Sequence, residues 1–448
     1  MSDQVHAILD ELVSDAGTDP QRWVDFLEAV LHGPEDVEEH VLNALAAQQD
    51  HIEDLDGRLW GALRKAVSDL LPGDMEAARY ERINNLYKRF TPEDPARRYA
   101  WLFASFPSLP GYSIDNVDEQ EQRIANEREK AVEDIWQQSE PWNALARLTR
   151  EVSQSEHEAW NLGCTLAKTS FVQTFEGRIL ADTVEAPLAP LVVGFAATRA
   201  KELGPVWLEK LLHRLIKNNR TSEAARIASS SVDGRTIDYR SLWDILERVG
   251  EPLLGEYWRV VPRIFGYPQL DDLRYAIERF VIAGREDAAL QSAGLGGRAT
   301  TGSLAFYVLE KYKERAIRDQ SLGQSAPSSI NQLIPHHVEK LFEKIDRDPP
   351  ADKDPIKDLA PLELFYLPIL PQRARPTRYV SLAFESPDFF AHLVATLYRR
   401  RGEERPVKED AGRAQAARNS FTLLKAWRGF PGDGLPEAER DTKLEAWA

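Results

Sequence analysis

Apolar residues recur along almost the whole chain every three or four positions, the spacing that gathers them on one side of an α-helix. In QRWVDFLEAVL, Trp23, Phe26, Leu27 and Val30 stand at i, i+3, i+4 and i+7. YERINNLYKRF repeats the pattern with Tyr80, Ile83, Leu86, Tyr87 and Phe90, and PVWLEKLLHRLI with Trp207, Leu208, Leu211, Leu212 and Leu215. Alternating runs are scarce, and the nearest, RYVSLAF (378–384), is short enough to be a helical turn. The period predicts an all-α fold, a helical-repeat, solenoid-like stack of roughly twenty helices joined by short turns. Asp19-Pro20 and Asp94-Pro95 each pair a capping side chain with a first-turn proline and predict helix starts.

Three stretches cannot continue a helix. FPSLPGYSIDN (106–116) and SLGQSAPSSIN (321–331) are rich in turn formers, and DRDPPADKDP (346–355) is broken by prolines. With 448 residues the chain exceeds one compact core. The breaks suggest an acidic N-terminal helical segment (1–110), a central helical-repeat region (111–325) and a C-terminal helical region (326–448). An internal repeat supports the middle of that division. LHRLIKNNRTSEAARIAS, from Leu212, resembles IERFVIAGREDAALQSA, from Ile277. Each reads as an apolar helix, a short polar turn and an Ala-rich helix. Ala224, Ala225, Ala228, Ala288 and Ala289 are small enough to let neighbouring helices approach closely.

Charge is concentrated at one end. Residues 1–56 hold fifteen Asp/Glu against the single Arg22, a net of −14, out of −16 for the whole chain. Such a block repels nucleic acid and suits a basic partner, or is simply a solvated helical surface. The N-terminus, MSDQVHAILDEL, is acidic and amphipathic, unlike a secretory leader. The best membrane candidate, APLAPLVVGFAA (186–197), has 12 residues and two prolines. A spanning helix needs about 20 residues, so this segment reads as a buried helix. The lone Cys164 leaves no internal disulfide and no cysteine-based zinc site within one chain, which fits a reducing cytoplasm.

The stretch GLGGRATTGS (294–303) imitates a phosphate loop, with Gly297, Gly302 and Ser303 at the positions of GxxxxGK[ST] but no lysine. Such loops need a strand ahead of them to deliver the chain to the phosphates. Here the preceding residues are helical. The glycines read as the end of one helix, with Thr300 or Thr301 capping the next.

Other catalytic patterns fail in detail. His157-Glu158 begins H-E-x-x-H, but Asn161 stands where the second histidine is required. His336 and His337 diverge as adjacent helical residues and, after Pro335, fall in the first turn of the helix through VEKLFEKI. Cys164 sits on an apolar helix face, the place of a packed thiol. Di-metal bundles need Glu-x-x-His, whereas Glu39 and Glu209 are followed at i+3 by Leu42 and Leu212. No catalytic residue, metal site or cofactor is therefore expected.

Contact residues are expected instead in an arginine-rich corner, Arg373, Arg375 and Arg378 with Arg399, Arg400 and Arg401, and at the loop aromatics Tyr112 and Tyr267. The corner could meet phosphates, which makes a nucleic-acid-binding module the alternative reading, although Glu403 and Glu404 interrupt it. An acidic protein segment suits it at least as well.

Four stretches, FTPEDPARRYAWLF (90–103), EYWRVVPRIFGYPQLDDLRYAIERFVIAGREDAAL (256–290), SPDFFAHLVATLYRRRGEE (386–404) and LLKAWRGFPGDG (423–434), resemble a helical region of large bacterial STAND-like NTPase proteins associated with anti-phage defence. Trp258, Pro262, Gly284-Arg285 and Phe389-Phe390 carry the likeness as packing and turn positions. The resemblance implies a helical array that senses a ligand or holds a partner, with any NTPase in another part of a longer polypeptide or in another chain. The terminal PEAERDTKLEAWA, which stops on Leu444 and Trp447, suggests such a piece. The expectation is a cytoplasmic, non-catalytic scaffold or sensor that binds a protein, either a component of its own system or a phage protein.

Overall fold

The computed structural model describes residues 3–31, 33–54, 57–69, 77–109, 117–264, 269–319, 333–366, 369, 370, 388 and 391. Among them twenty α-helices carry the fold and no strand occurs, so the all-α expectation holds. The chain divides into two compact units, Met1–Thr236 and Ile237–Ala448.

The first unit opens with α1 (Asp3–Ala16), α2 (Pro20–Val30), α3 (Glu35–Gln48), α4 (Arg58–Asp69) and α5 (Ala77–Arg89). As the period predicts, Trp23, Leu27, Val41, Leu45, Leu59, Leu63, Ile83 and Leu86 close into one core. The Asp19 carboxylate accepts from Gln21 N at 2.9 Å ahead of Pro20. Asp94 does the same for Ala96 N at 3.2 Å at the start of α6 (Pro95–Tyr99), so both predicted starts are found. Then come α7 (Val117–Trp136), α8 (Pro141–Val152), α9 (Glu156–Leu166), α10 (Val172–Ile179), α11 (Val192–Leu203), α12 (Pro205–Lys217) and α13 (Thr221–Ser230). Helices α9 and α11 meet backbone to backbone. A methyl on Gly163 would overlap Leu191 O, and one on Gly194 would overlap Trp160 O. The apolar stretch 186–197 is buried only in part. Leu188, Leu191, Val192 and Gly194–Ala197 are buried, whereas Ala186, Pro187, Ala189 and Pro190 are exposed on a 3-10 turn that carries both prolines, so the expected buried helix is confined to α11.

The second unit begins with α14 (Tyr239–Val249), α15 (Glu251–Val260) and α16 (Leu270–Ile282), packed through an aromatic cluster. Trp258 lies 5.6 Å from Trp243 and 5.2 Å from Phe280 between ring centroids, and Trp243 Nε1 donates to Tyr257 Oη at 3.4 Å. Next, α17 (Glu286–Leu295) buries its small face, Ala288, Ala289 and Ala293, where it packs on α16, α18 (Gly302–Asp319) and α19 (Ile334–Arg347). The predicted break at 346–355 ends α19 at Arg347, and a π-turn (Pro355–Leu359) leads into α20 (Ala360–Tyr366). Tyr366 Oη donates to Leu309 O at 2.7 Å and ties α20 to α18. The turn formers at 321–331 and the RYVSLAF run lie outside the described residues.

The internal repeat is one hairpin built twice, α12–α13 in the first unit and α16–α17 in the second. Asn219 (φ +58°) and Gly284 (φ +71°) occupy the left-handed position after the first helix. Arg220 N then donates to Leu215 O at 2.9 Å, and Arg285 N to Phe280 O at 2.8 Å, the long-reach bond of a left-handed helix stop. In both hairpins the arginine side chain reaches back to an earlier carbonyl. Arg220 Nη1 donates to Ala181 O, and Arg285 Nη1 to Arg259 O.

Candidate functional site

All the sequence-nominated contact residues, Arg373, Arg375, Arg378, Arg399, Arg400, Arg401, Tyr112 and Tyr267, lie outside the described residues, as do Phe389 and Phe390. Of the other three positions that carry the resemblance, Pro262 is exposed just past the end of α15, and two are a packing and a turn residue. Trp258 is at the centre of the aromatic cluster, and Gly284-Arg285 makes the hairpin turn.

The glycine-rich stretch is the α17–α18 turn, assembled from contacts within the second unit. Thr300 Oγ1 donates to Ala293 O at 2.7 Å and closes the end of α17, while Thr301 Oγ1 accepts from Leu304 N at 3.3 Å and caps α18. Both threonines therefore serve, one on each helix. Gly302 N, the amide a phosphate would take, donates to Asp348 Oδ2 at 2.9 Å. Lys344 Nζ donates to Gly297 O at 2.7 Å from the same end of α19. A side-chain carboxylate thus stands at the N-terminus of α18, where the helix dipole favours an anion. The glycines permit this closeness. A methyl on Gly302 would overlap Asp348 O, and one on Gly294 would come within 2.5 Å of His337 Nδ1.

That His337 is 3% exposed, and neither ring nitrogen has a hydrogen-bond partner among the described residues. Burial, then the neighbouring His336 and Arg263, pull its pKa below 6.5. Helix α19 starts at Ile334 with Pro335 in its first turn, as the sequence predicts. His157 stacks on Trp160 with centroids 5.8 Å apart. Cys164 is half-buried and not fully in the core. Its Sγ donates to Gly194 O at 3.5 Å, and burial pushes the thiol's pKa up. No cluster of three His, Cys, Asp or Glu that could hold a metal occurs among the described residues, and no described helix is long and apolar enough to cross a membrane.

Two surface features remain. A groove of about 300 Å³ in the second unit is lined by Arg274 and Glu278 of α16 and by Ser303, Leu304 and Tyr307 of α18. It offers a cation, an anion, two hydroxyls and an apolar floor, which suits a polar chain segment better than an apolar ligand. The second feature is α1. Leu9 and Ala16 enter the core, yet Val5, Ile8 and Leu12 remain 38, 57 and 43% exposed. Sequence reasoning noted that α1 is amphipathic but missed that its apolar arc is wider than its neighbours α2 and α3 cover. Six of the seven apolar residues of α1, Val5, Ile8, Leu9, Leu12, Val13 and Ala16, fall on one arc and were the signal.

These features define a helical protein of two compact units whose described surface includes a polar groove in the second unit and an exposed apolar ridge on α1. Comparison with protein-family models, with curated proteins and with solved structures finds no match.

Proposed function

We propose that this chain is a helical scaffold or sensor region, without catalysis of its own, that holds a protein partner in the bacterial cytoplasm as part of an anti-phage defence assembly. The observation that carries the reading is the twice-built hairpin. A unit that reuses the same left-handed stop and the same arginine tie is the kind of element that stacks into a solenoid and leaves an extended face for a partner. The resemblance to helical regions of STAND-like proteins supports the defence context. Exposed apolar side chains at helix ends, Val206 and Ile282 among them, support a surface that is completed by protein. The partner is another component of the same system or a phage protein, and Arg373, Arg375, Arg378, Arg399, Arg400, Arg401, Tyr112 and Tyr267 are contact positions to vary first.

The test uses the purified chain as bait in nuclease-treated lysate from infected and uninfected cells, followed by titration of any recovered protein in purified form. Saturable binding of one protein is the expected result. Recovery of nucleic acid alone, lost after nuclease and weakened when Arg399, Arg400 and Arg401 are replaced by Ala, would put the nucleic-acid reading in its place.

A further inference from the structure

We infer that the exposed side of α1, the ridge Val5–Ile8–Leu12 with its bordering carboxylates, is the docking site for a basic amphipathic helix of a partner protein. The inference rests on the partner-binding reading above and names a surface for it. At 100° per residue the apolar arc of α1 runs from Ile8 through Leu12, Val5, Ala16 and Leu9 to Val13, about 140° of the helix. One side of that arc is spent on the core through Leu9 and Ala16, with Val13 partly covered. The other side is left to solvent. Val5, Ile8 and Leu12 stand at i, i+3 and i+7, the a–d–a spacing that seats the ridge of a second helix.

The charge around the ridge selects the occupant. Glu11 and Asp15 follow Ile8 on the open border of the arc, and both are exposed. Asp15 holds Arg22 at 2.5 Å, and Asp10, on the far side, is bonded to His40 Nε2 at 3.0 Å. Arg22 is the one Lys or Arg in residues 1–56 against fifteen carboxylates, and although Arg82 and Arg89 of α5 pair with Glu39 and Asp50, the charge around the ridge stays net negative. A second copy of α1 would bring a like-charged border against this one. Nucleic acid and anionic lipid are repelled for the same reason. A helix with Leu or Ile on one edge and Lys or Arg beside it meets the ridge and the carboxylates together.

The test titrates the full chain into a fluorescein-labelled 18-residue peptide of Lys and Leu in amphipathic helical spacing. Two controls are its Glu/Leu counterpart and a Lys/Leu peptide with the apolar positions scrambled. Saturable one-to-one binding of the amphipathic Lys/Leu peptide is expected. Ile8→Ser with Leu12→Ser should weaken it at least tenfold with the helical circular dichroism unchanged, since both side chains are exposed. Glu11→Lys, which leaves the ridge intact, should weaken it severalfold and decides the matter if the double variant fails to fold. Equal binding of the scrambled or the acidic peptide, unchanged binding to the variants, or no binding at all overturns the inference. So does a dimer of the chain, seen in sedimentation, that the Ser variants dissolve. None of these touches the scaffold reading, whose recovered partner would then bind both variants as it binds the unaltered chain.

Discussion

Gly302 shows how much a single missing methyl can decide. It starts α18, its amide is held by Asp348, and its Cα faces the Asp348 carbonyl so closely that a side chain has no room. Gly302→Ala must push the end of α19 away, at a cost of about 2–4 kcal/mol to the second unit. Gly255 lies inside α15 with nothing within 4 Å of where its methyl would be. Gly255→Ala should therefore stabilise by about 0.5–1 kcal/mol, because only the helix propensity changes. Urea unfolding of the two variants side by side separates close packing from intrinsic glycine cost. His337, packed against Gly294 in the same turn region, adds a pH dependence. The folded state keeps the imidazole neutral because burial, aided by His336 and Arg263, lowers its pKa, whereas the unfolded chain takes up a proton near 6.5. The contribution of this residue is thus complete above pH ~6.5 and is lost as pH falls below it, by at most about 1.4 kcal/mol per pH unit for one proton. Urea midpoints at pH 8 and 5.5 should differ less in His337→Leu than in the unaltered chain. Equal differences would show that this imidazole is not the group responsible.

At the scale of elements, the two hairpins make a matched pair of experiments. Arg285→Ala and Arg220→Ala each leave a carbonyl without its charged donor and should cost about 1–3 kcal/mol in their respective units. Lysine should restore only part, since it lacks the fork that lets one guanidinium serve a carbonyl and a carboxylate. Arg220 bonds Glu223 as well as Ala181 O, and Arg285 bonds Asp287 as well as Arg259 O. At the left-handed position, Gly284→Ala should cost about 1 kcal/mol and Asn219→Gly should gain less than that. If both arginine variants unfold at the unaltered urea concentration, the shared turn is decoration and the repeat has no energetic basis. These hairpins were legible in the sequence because helix, polar stop and small-residue helix are all local signals. So were the helices themselves, where Trp23, Leu27 and Val30 announce their face by spacing alone. The α16–α18 groove was not legible. Arg274 and Glu278 meet Ser303, Leu304 and Tyr307 only because α17 folds back between them in sequence, and no period encodes that. Nor could spacing show that Gly302 faces Asp348, a contact made across 46 positions. The open side of α1 was half legible, its apolar arc visible but its lack of a neighbour not. The nominated arginines and tyrosines rested on composition, which marks a charge without placing it.

The whole molecule is two compact units, and the division between Thr236 and Ile237 has an energetic consequence. Each unit has a core of its own. The first is built on Trp23, Leu27 and Leu59 and on the α9–α11 contact, the second on the Trp243–Trp258 cluster and the α17–α19 packing. Units with separate cores open as separate cooperative blocks, because breaking one leaves the buried area of the other intact. Two substitutions with the same physical cause, one in each unit, expose this. Gly163→Ala sets a methyl against Leu191 O in the first unit, and Gly302→Ala sets one against Asp348 O in the second. In hydrogen exchange under mild urea, Gly302→Ala should speed exchange in peptides from α14 to α20 and leave those from α1 to α13 at their original rate. Gly163→Ala should do the reverse. If either variant accelerates both sets alike, the chain unfolds as one block, and the seam at 236–237 separates contacts without separating stability. If the two respond independently, a partner docked on α1 would protect only the first unit. The pattern of protection on adding the partner would then report which unit it holds.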